Sequence, residues 1–280
     1  MVMQTRYGYQ RPFDDVIFRA LSRLCREIAL IVKDLGAIDP KLPVSYKAEV
    51  NDYFHAAKYN VAMIPEELIR DVTDFSGGCL YALGSLLRDP FVSPVVISPM
   101  ARTVVENSSL IIYLNSFDPI ERTFWSMRAL QQKIQYEKEK ELIPGLFGPI
   151  DDAVKVYTSI HKGRDLKFPS NTKLVSDMLK DICGADLYKM LSSYSHHNAW
   201  TALKHYANVK YDPVLLEIQS VFLVVDTLES TLKAAHSIEG FRPRQEYDRN
   251  IELLNELDPY LKECETSLLE WIGESRSMSA

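Results

Sequence analysis

The sequence predicts an all-α protein, an irregular multi-helix bundle of about ten helices. Apolar residues recur at steps of three and four almost throughout, while the alternation that marks half-buried strands is nearly absent. Proline, glycine and short polar residues punctuate the chain at helix-length intervals. Composition permits such a bundle: 46% hydrophobic residues suffice for a buried core, and 25% charged is an ordinary globular share. No fixed-period repeat is visible, which disfavours a regular solenoid. The 280 residues are read as one helical domain, 1–280, with a candidate hinge at 143–150. That hinge divides an N-terminal half, 11–142, from a C-terminal half, 151–272.

The first helix is the clearest. Ile17, Leu21, Leu24, Ile28, Ile31 and Leu35 make one stripe, closed by Gly36. Residues Met1–Gln10 before it, like Gly273–Ala280 at the other end, are polar and are expected to fray. A second helix is expected over Ser45–Ala62 with Ser45 as N-cap, and a third from Pro65, where Glu66 and Glu67 suit the helix dipole. Gly77-Gly78 weakens that third helix midway and is read as a point of close helix packing. Pro90 and Pro94 mark a break. Ser98-Pro99 then reads as N-cap and first helical residue of a helix running to about Leu114.

Asp118-Pro119-Ile120-Glu121 reads as the next start, a capping box leading a helix to about Glu141. Its last residues, Glu137-Lys-Glu-Lys-Glu141, are a solvated helix end. Pro144, Gly145, Gly148 and Pro149 make 143–150 the best hinge. Shorter helices are expected near Asp151–Lys162 and Asn171–Cys183. Longer ones fit Ala185–Asn208, Pro213–Glu239 and Pro243–Ile272, with Pro259 kinking the last.

Several function classes are excluded or weakened. A formal charge of −6 offers no broad DNA-binding surface, although it leaves room for a small basic pocket. The longest apolar run, Val214–Val225, contains Glu217 and is too short to span a bilayer, so no membrane partner is expected. No secretory leader is evident, and Cys25, Cys79, Cys183 and Cys264 are scattered without metal spacing. Reduced thiols in a cytoplasmic protein are the resulting expectation. His197 and His205 lie two turns apart without a third ligand, so no metal is expected. Phosphate-cradling glycine loops, nucleophile elbows and zinc helices are missing, and no cofactor is implied. Cys183 sits at an electronegative helix end, which opposes thiolate formation.

Two segments could carry chemistry. Arg102 and Glu106 are four apart on an otherwise apolar helix, among Val104, Val105, Leu110 and Ile111. Burying such charges is costly unless they pair or bind something polar. They are read either as a structural ion pair or as an anion site in which Glu106 orients Arg102 or accepts a proton. On the second helix Tyr188, Ser192, His196 and Ala199 form one stripe. There His196 could act as acid and base, with Ser192 fixing its tautomer; a satisfied core histidine is the alternative. Arg102, Glu106, Ser192 and His196 are thus the candidate catalytic set. Tyr113, Tyr188, Ser195 and His197 are candidate substrate contacts. Tyr53, Tyr59 and Tyr194 could line the same pocket, although aromatics at helical spacing commonly belong to cores.

The segment Ser98-Pro-Met-Ala-Arg102-Thr-Val-Val-Glu106 resembles an "aRxxxE" helix of uncharacterised all-helical actinobacterial proteins. Asp118-Pro119…Glu121-Arg122 resembles the "DP…ER" start that follows it there. Tyr188-x-x-Leu191-Ser192-x-x-x-His196 resembles their later "YxxLSxxxH" helix. In outline these proteins are similar to the HEPN superfamily, which implies a HEPN-like helical core, homodimerisation, and arginine and histidine cooperating in metal-independent RNA cleavage. The HEPN signature sets its arginine four to six residues before the histidine. Here no arginine lies in that range, so Arg102 would act from another helix. The leading expectation is therefore a metal-independent ribonuclease or nucleotide-acting enzyme, of a toxin or phage-defence kind. A small-molecule or peptide-tailoring enzyme with a pocket at Arg102 and His196, and a non-catalytic interaction protein, are the alternatives.

Overall fold

A computed structural model of the chain describes residues 4–5, 8–9, 19, 22–23, 25–30, 44–55, 60–89, 94–132, 141, 144–180, 188–189 and 191–192. Among them the architecture is all-helical, apart from a two-residue antiparallel pairing of Gln4–Thr5 (β1) with Gly8–Tyr9 (β2). That pairing lies in the stretch expected to fray. Six helices follow: α1 (Val44–Tyr53), α2 (Ile64–Leu86), α3 (Pro94–Asn115), α4 (Pro119–Gln132), α5 (Pro144–Ile160) and α6 (Asn171–Met178). Residues 25–30, within the expected first helix, are helical as well, with Cys25, Ile28 and Ala29 fully buried. Cys79 carries a free thiol.

The helix boundaries show where local signals suffice. Helix α2 opens with proline in its first turn, followed by Glu66 and Glu67, as its sequence predicts. Asp118 caps α4 by accepting from the Glu121 amide at 2.9 Å. The other half of the capping box is not made, because the Glu121 carboxylate instead accepts from Arg164 Nη1 at 3.1 Å and Tyr157 OH at 3.3 Å. Ser170 caps α6 through the Lys173 amide at 3.3 Å.

Other starts are corrected. Ser45 is the second residue of α1, not its cap, and α1 ends at Tyr53 instead of Ala62. There the Phe54 amide reaches the Val50 carbonyl at 3.0 Å, and His55 Nδ1 donates to the Asp52 carbonyl at 2.8 Å. Pro94, not Pro99, takes the first position of α3, so Ser98 is a buried helical residue and Pro99 lies in the second turn. The expected hinge at 143–150 is helical from Pro144 onwards and supplies the first turns of α5, Pro149 included. Both internal prolines forgo one backbone hydrogen bond. In α5 the loss is offset by Phe147 and Ile150, which are buried in the core from those same turns.

The core gathers Tyr46 and Val50 from α1 and Phe54 just past its end, Leu68, Ile69 and Val72 from α2, and Ile111 and Leu114 from α3. Helix α4 supplies Phe124, Trp125 and Met127, while α5 supplies Phe147, Ile150 and Tyr157. Helix α4 touches α1, α2, α3 and α5, and α3 packs against α2 on one side and α6 on the other. The Phe124 and Tyr157 rings stack with centroids 3.9 Å apart, locking α4 to α5. Close approach to α2 occurs at Gly84. A Cβ there would lie 2.8 Å from Arg26 Cγ and from the Ser22 carbonyl oxygen, and Ser22 donates its hydroxyl to the Gly84 carbonyl. Of the two glycines where sequence placed the tight contact, Gly77 is buried and Gly78 faces open space.

Candidate functional site

Helix α3 carries Arg102 and Glu106 one turn apart on the side turned to α6. Their neighbours Ala101, Val104 and Val105 are fully buried. Arg102 Nε donates to Glu106 Oε1 at 2.7 Å, and both side chains keep 19% of their surface exposed. Two further segments converge on the same carboxylate. Tyr188 donates its hydroxyl to Glu106 Oε1 at 2.5 Å, and Asn171 Nδ2 donates to Oε2 at 2.9 Å. Asn171 stands there because Ser170 caps α6 and makes Asn171 its first residue. The Arg102 Cζ lies 6.0 Å from the centre of the Tyr188 ring.

The electrostatics follow from this packing. Burial alone would lower the Arg102 guanidinium, but the hydrogen bond and charge of Glu106 more than reverse it and hold the group above its ordinary range. Tyr188 is pushed from 10.0 up to about 12, first by burial and then by its bond to the Glu106 carboxylate. Both carboxylate oxygens accept from donors, one of them charged. A carboxylate so held is an anchor, and of the two roles open to Glu106 this arrangement fits orienting Arg102 better than accepting a proton.

Tyr188 is therefore brought to Arg102 and Glu106. Ser192, one turn beyond Tyr188 in the helical residues 191–192, is half-buried. Ser195, His196 and His197 lie outside the described residues, as do Tyr59, Tyr194 and His205. Tyr113 is placed elsewhere. It stands eleven residues along α3 from Arg102, roughly 16 Å at the helical rise. There its ring meets Phe117, Phe168 and Trp125 edge-on at 4.8, 5.7 and 6.0 Å. Tyr53 shares a hydrogen bond with His161 Nε2 at 3.0 Å, near Tyr157, instead of facing Arg102. Among the described residues no group of three or more His, Cys, Asp or Glu is placed to hold a metal ion, and no helix is long and apolar enough to cross a membrane.

Sequence reading missed three participants. Asn171 carries the signal of a helix start but no signal of what it touches. Arg122 and Glu66 form a second, deeper pair between α4 and α2, with Nη1 3.9 Å from Oε1 and side chains only 5% and 4% exposed. Arg122 also donates to the carbonyls of Leu114, Asn115 and Phe117 at 3.2, 3.5 and 3.4 Å, capping the C-terminus of α3. A cleft of about 420 Å³ opens among α2, α3, α4 and α5. Its walls include Asn107, the residue after Glu106, but neither Arg102 nor Tyr188. Compared with protein-family models, with curated proteins and with solved structures, the chain matches none of them.

Proposed function

We propose that the chain is a metal-independent enzyme acting on RNA or a nucleotide at the cluster around Arg102. In this reading the guanidinium binds a phosphate oxygen, Glu106 orients it, and His196 transfers the proton. The single observation that supports it is the hydrogen bond from Tyr188 to Glu106. It sets the segment whose sequence leads on to Ser192 and His196 directly beside the arginine. Arginine suits the task because its fork meets phosphate oxygens in pairs while its charge survives any physiological pH. The test is incubation of the purified chain with a mixed RNA panel in EDTA. Cleavage by the wild type, abolished in His196→Ala and Arg102→Ala but kept in Glu67→Gln, is the expected result. An intact panel with the wild-type protein overturns the reading.

A second reading is favoured by one feature: Glu106 is held by donors from α3, α6 and the 188–192 segment. A carboxylate so tied is a structural joint of a non-catalytic interaction protein. Under it, Arg102→Ala lowers the melting temperature and alters no activity.

A further inference from the structure

The cleft of about 420 Å³ is separate from the Arg102 cluster and has its own chemistry. Its size falls in the range that encloses a small organic ligand. The floor is apolar, built from Leu68 and Val72 of α2, Leu130 of α4 and Phe147 and Ile150 of α5. Along one lip α2 presents Glu67, Asp71 and Phe75, which recur at steps of four and so line a single ridge. Phe75 is 61% exposed, a large ring held in water at the mouth.

Among the described residues the polar groups of this lining are the Glu67 and Asp71 carboxylates and the Asn107 amide. Asn107 commits its Nδ2 to Ser76 Oγ at 3.0 Å, which leaves its carbonyl oxygen as an acceptor. Glu67 and Asp71 repel one another across one turn, and among the described residues no basic side chain lines the cleft. The Glu67 side chain makes no hydrogen bond or ion pair among the described residues. Among the described residues Asp71 has only Arg70, at 3.7 Å and well exposed, a contact that contributes little. The helix dipole accounts for Glu66 and Glu67 in the first turn of α2. Asp71 lies past that turn, where the dipole no longer rewards it.

We infer that this cleft binds a small amphiphilic organic cation, a primary amine on an apolar body. The body occupies the floor of Leu68, Val72 and Phe147. The ammonium lies at the lip between Glu67 and Asp71, with the Phe75 ring and the Asn107 carbonyl as further neutral contacts. An anionic ligand of the same shape is repelled by both carboxylates, so the site discriminates by charge.

Calorimetric titration of the full chain with octylammonium, octanol and octanoate at low ionic strength tests this. Saturable binding of octylammonium is expected, about tenfold tighter than octanoate. The double variant Glu67→Gln, Asp71→Asn should remove that preference and leave the binding of octanol unchanged. Phe75→Ala should weaken all three ligands. Both acids are on the surface; should the double variant lose helical circular dichroism, Glu67→Gln alone carries the comparison. Equal affinity for octylammonium and octanol overturns the inference, as does a preference that survives in the variant. Absence of saturable binding overturns it too, and so does capture of a basic amphipathic peptide without capture of octylammonium.

Discussion

The chain contains two arginine–glutamate pairs that differ in almost every respect. Arg102 and Glu106 are neighbours on one helix, 2.7 Å apart and 19% exposed. Arg122 and Glu66 come from different helices, 3.9 Å apart and 5% and 4% exposed. The deeper arginine is surrounded by the carbonyls that end α3, and burial lowers its guanidinium, against the opposing pull of Tyr46 and Glu66. The shallower one is raised above its usual range by Glu106 despite its partial burial. From sequence the first pair is open to either reading, a structural ion pair or an anion site. The second pair takes the structural role on better grounds, since removing either partner leaves the other charge buried and uncompensated. Partial exposure leaves the Arg102 cluster accessible to a ligand.

That division makes quantitative predictions. Arg122→Ala should cause the largest loss, about 3–5 kcal/mol, because it strands the Glu66 carboxylate in the interior and uncaps α3. Urea denaturation followed by circular dichroism measures it. Arg102→Ala should cost about 1–2 kcal/mol in the same assay, the usual range for a charged hydrogen bond at a half-buried site. If the two losses are equal, or their order is reversed, the contrast between the pairs collapses.

Tyr188→Phe removes one donor from Glu106 while Arg102 and Asn171 keep their contacts, and should cost about 1 kcal/mol at neutral pH. Its signature lies in the alkaline range. The hydroxyl is raised from 10.0 to about 12 in the folded chain, so it contributes stability fully present below its ordinary value and lost as the pH rises through about 12. Tyr46, Tyr113 and Tyr157, also raised to about 12, contribute to the same decline. Unfolding free energy measured across that window should fall less steeply in Tyr188→Phe than in the wild type. An identical slope would show that the Tyr188 bond to Glu106 does not form in solution. Asn171→Ala should be the mildest change, a few tenths of a kcal/mol, because the amide is exposed and water can replace it. A larger loss would move Glu106 towards the structural class.

Legibility varied with the range of the interaction. Asp118 capping α4, the acids that begin α2 and the Arg102–Glu106 contact are all decided within five residues, and each was readable. Ser45, Ser98 and the proline-rich stretch from Pro144 also looked decided locally, and were not. There the competing local signals are worth about 1 kcal/mol each, while the apolar residues beside them bury into a core worth more. Gly78 and Gly84 make the same point: both are glycines on α2, and only the passage of Ser22 and Arg26 singles out Gly84. Tyr113 carried the same helical spacing as Tyr188, yet one ring faces Trp125 and the other hydroxyl reaches Glu106.

By itself the sequence determined that the fold is built of helices, which faces are apolar, and that Arg102 meets Glu106, because periodicity and one-turn spacing are properties of a single helix. The tertiary structure alone decided that Tyr188 and Asn171 reach Glu106, that Arg122 and Glu66 share the interior, and that Glu67 and Asp71 border a cleft. Those contacts join segments far apart along the chain, and their positions are set by how the helices pack.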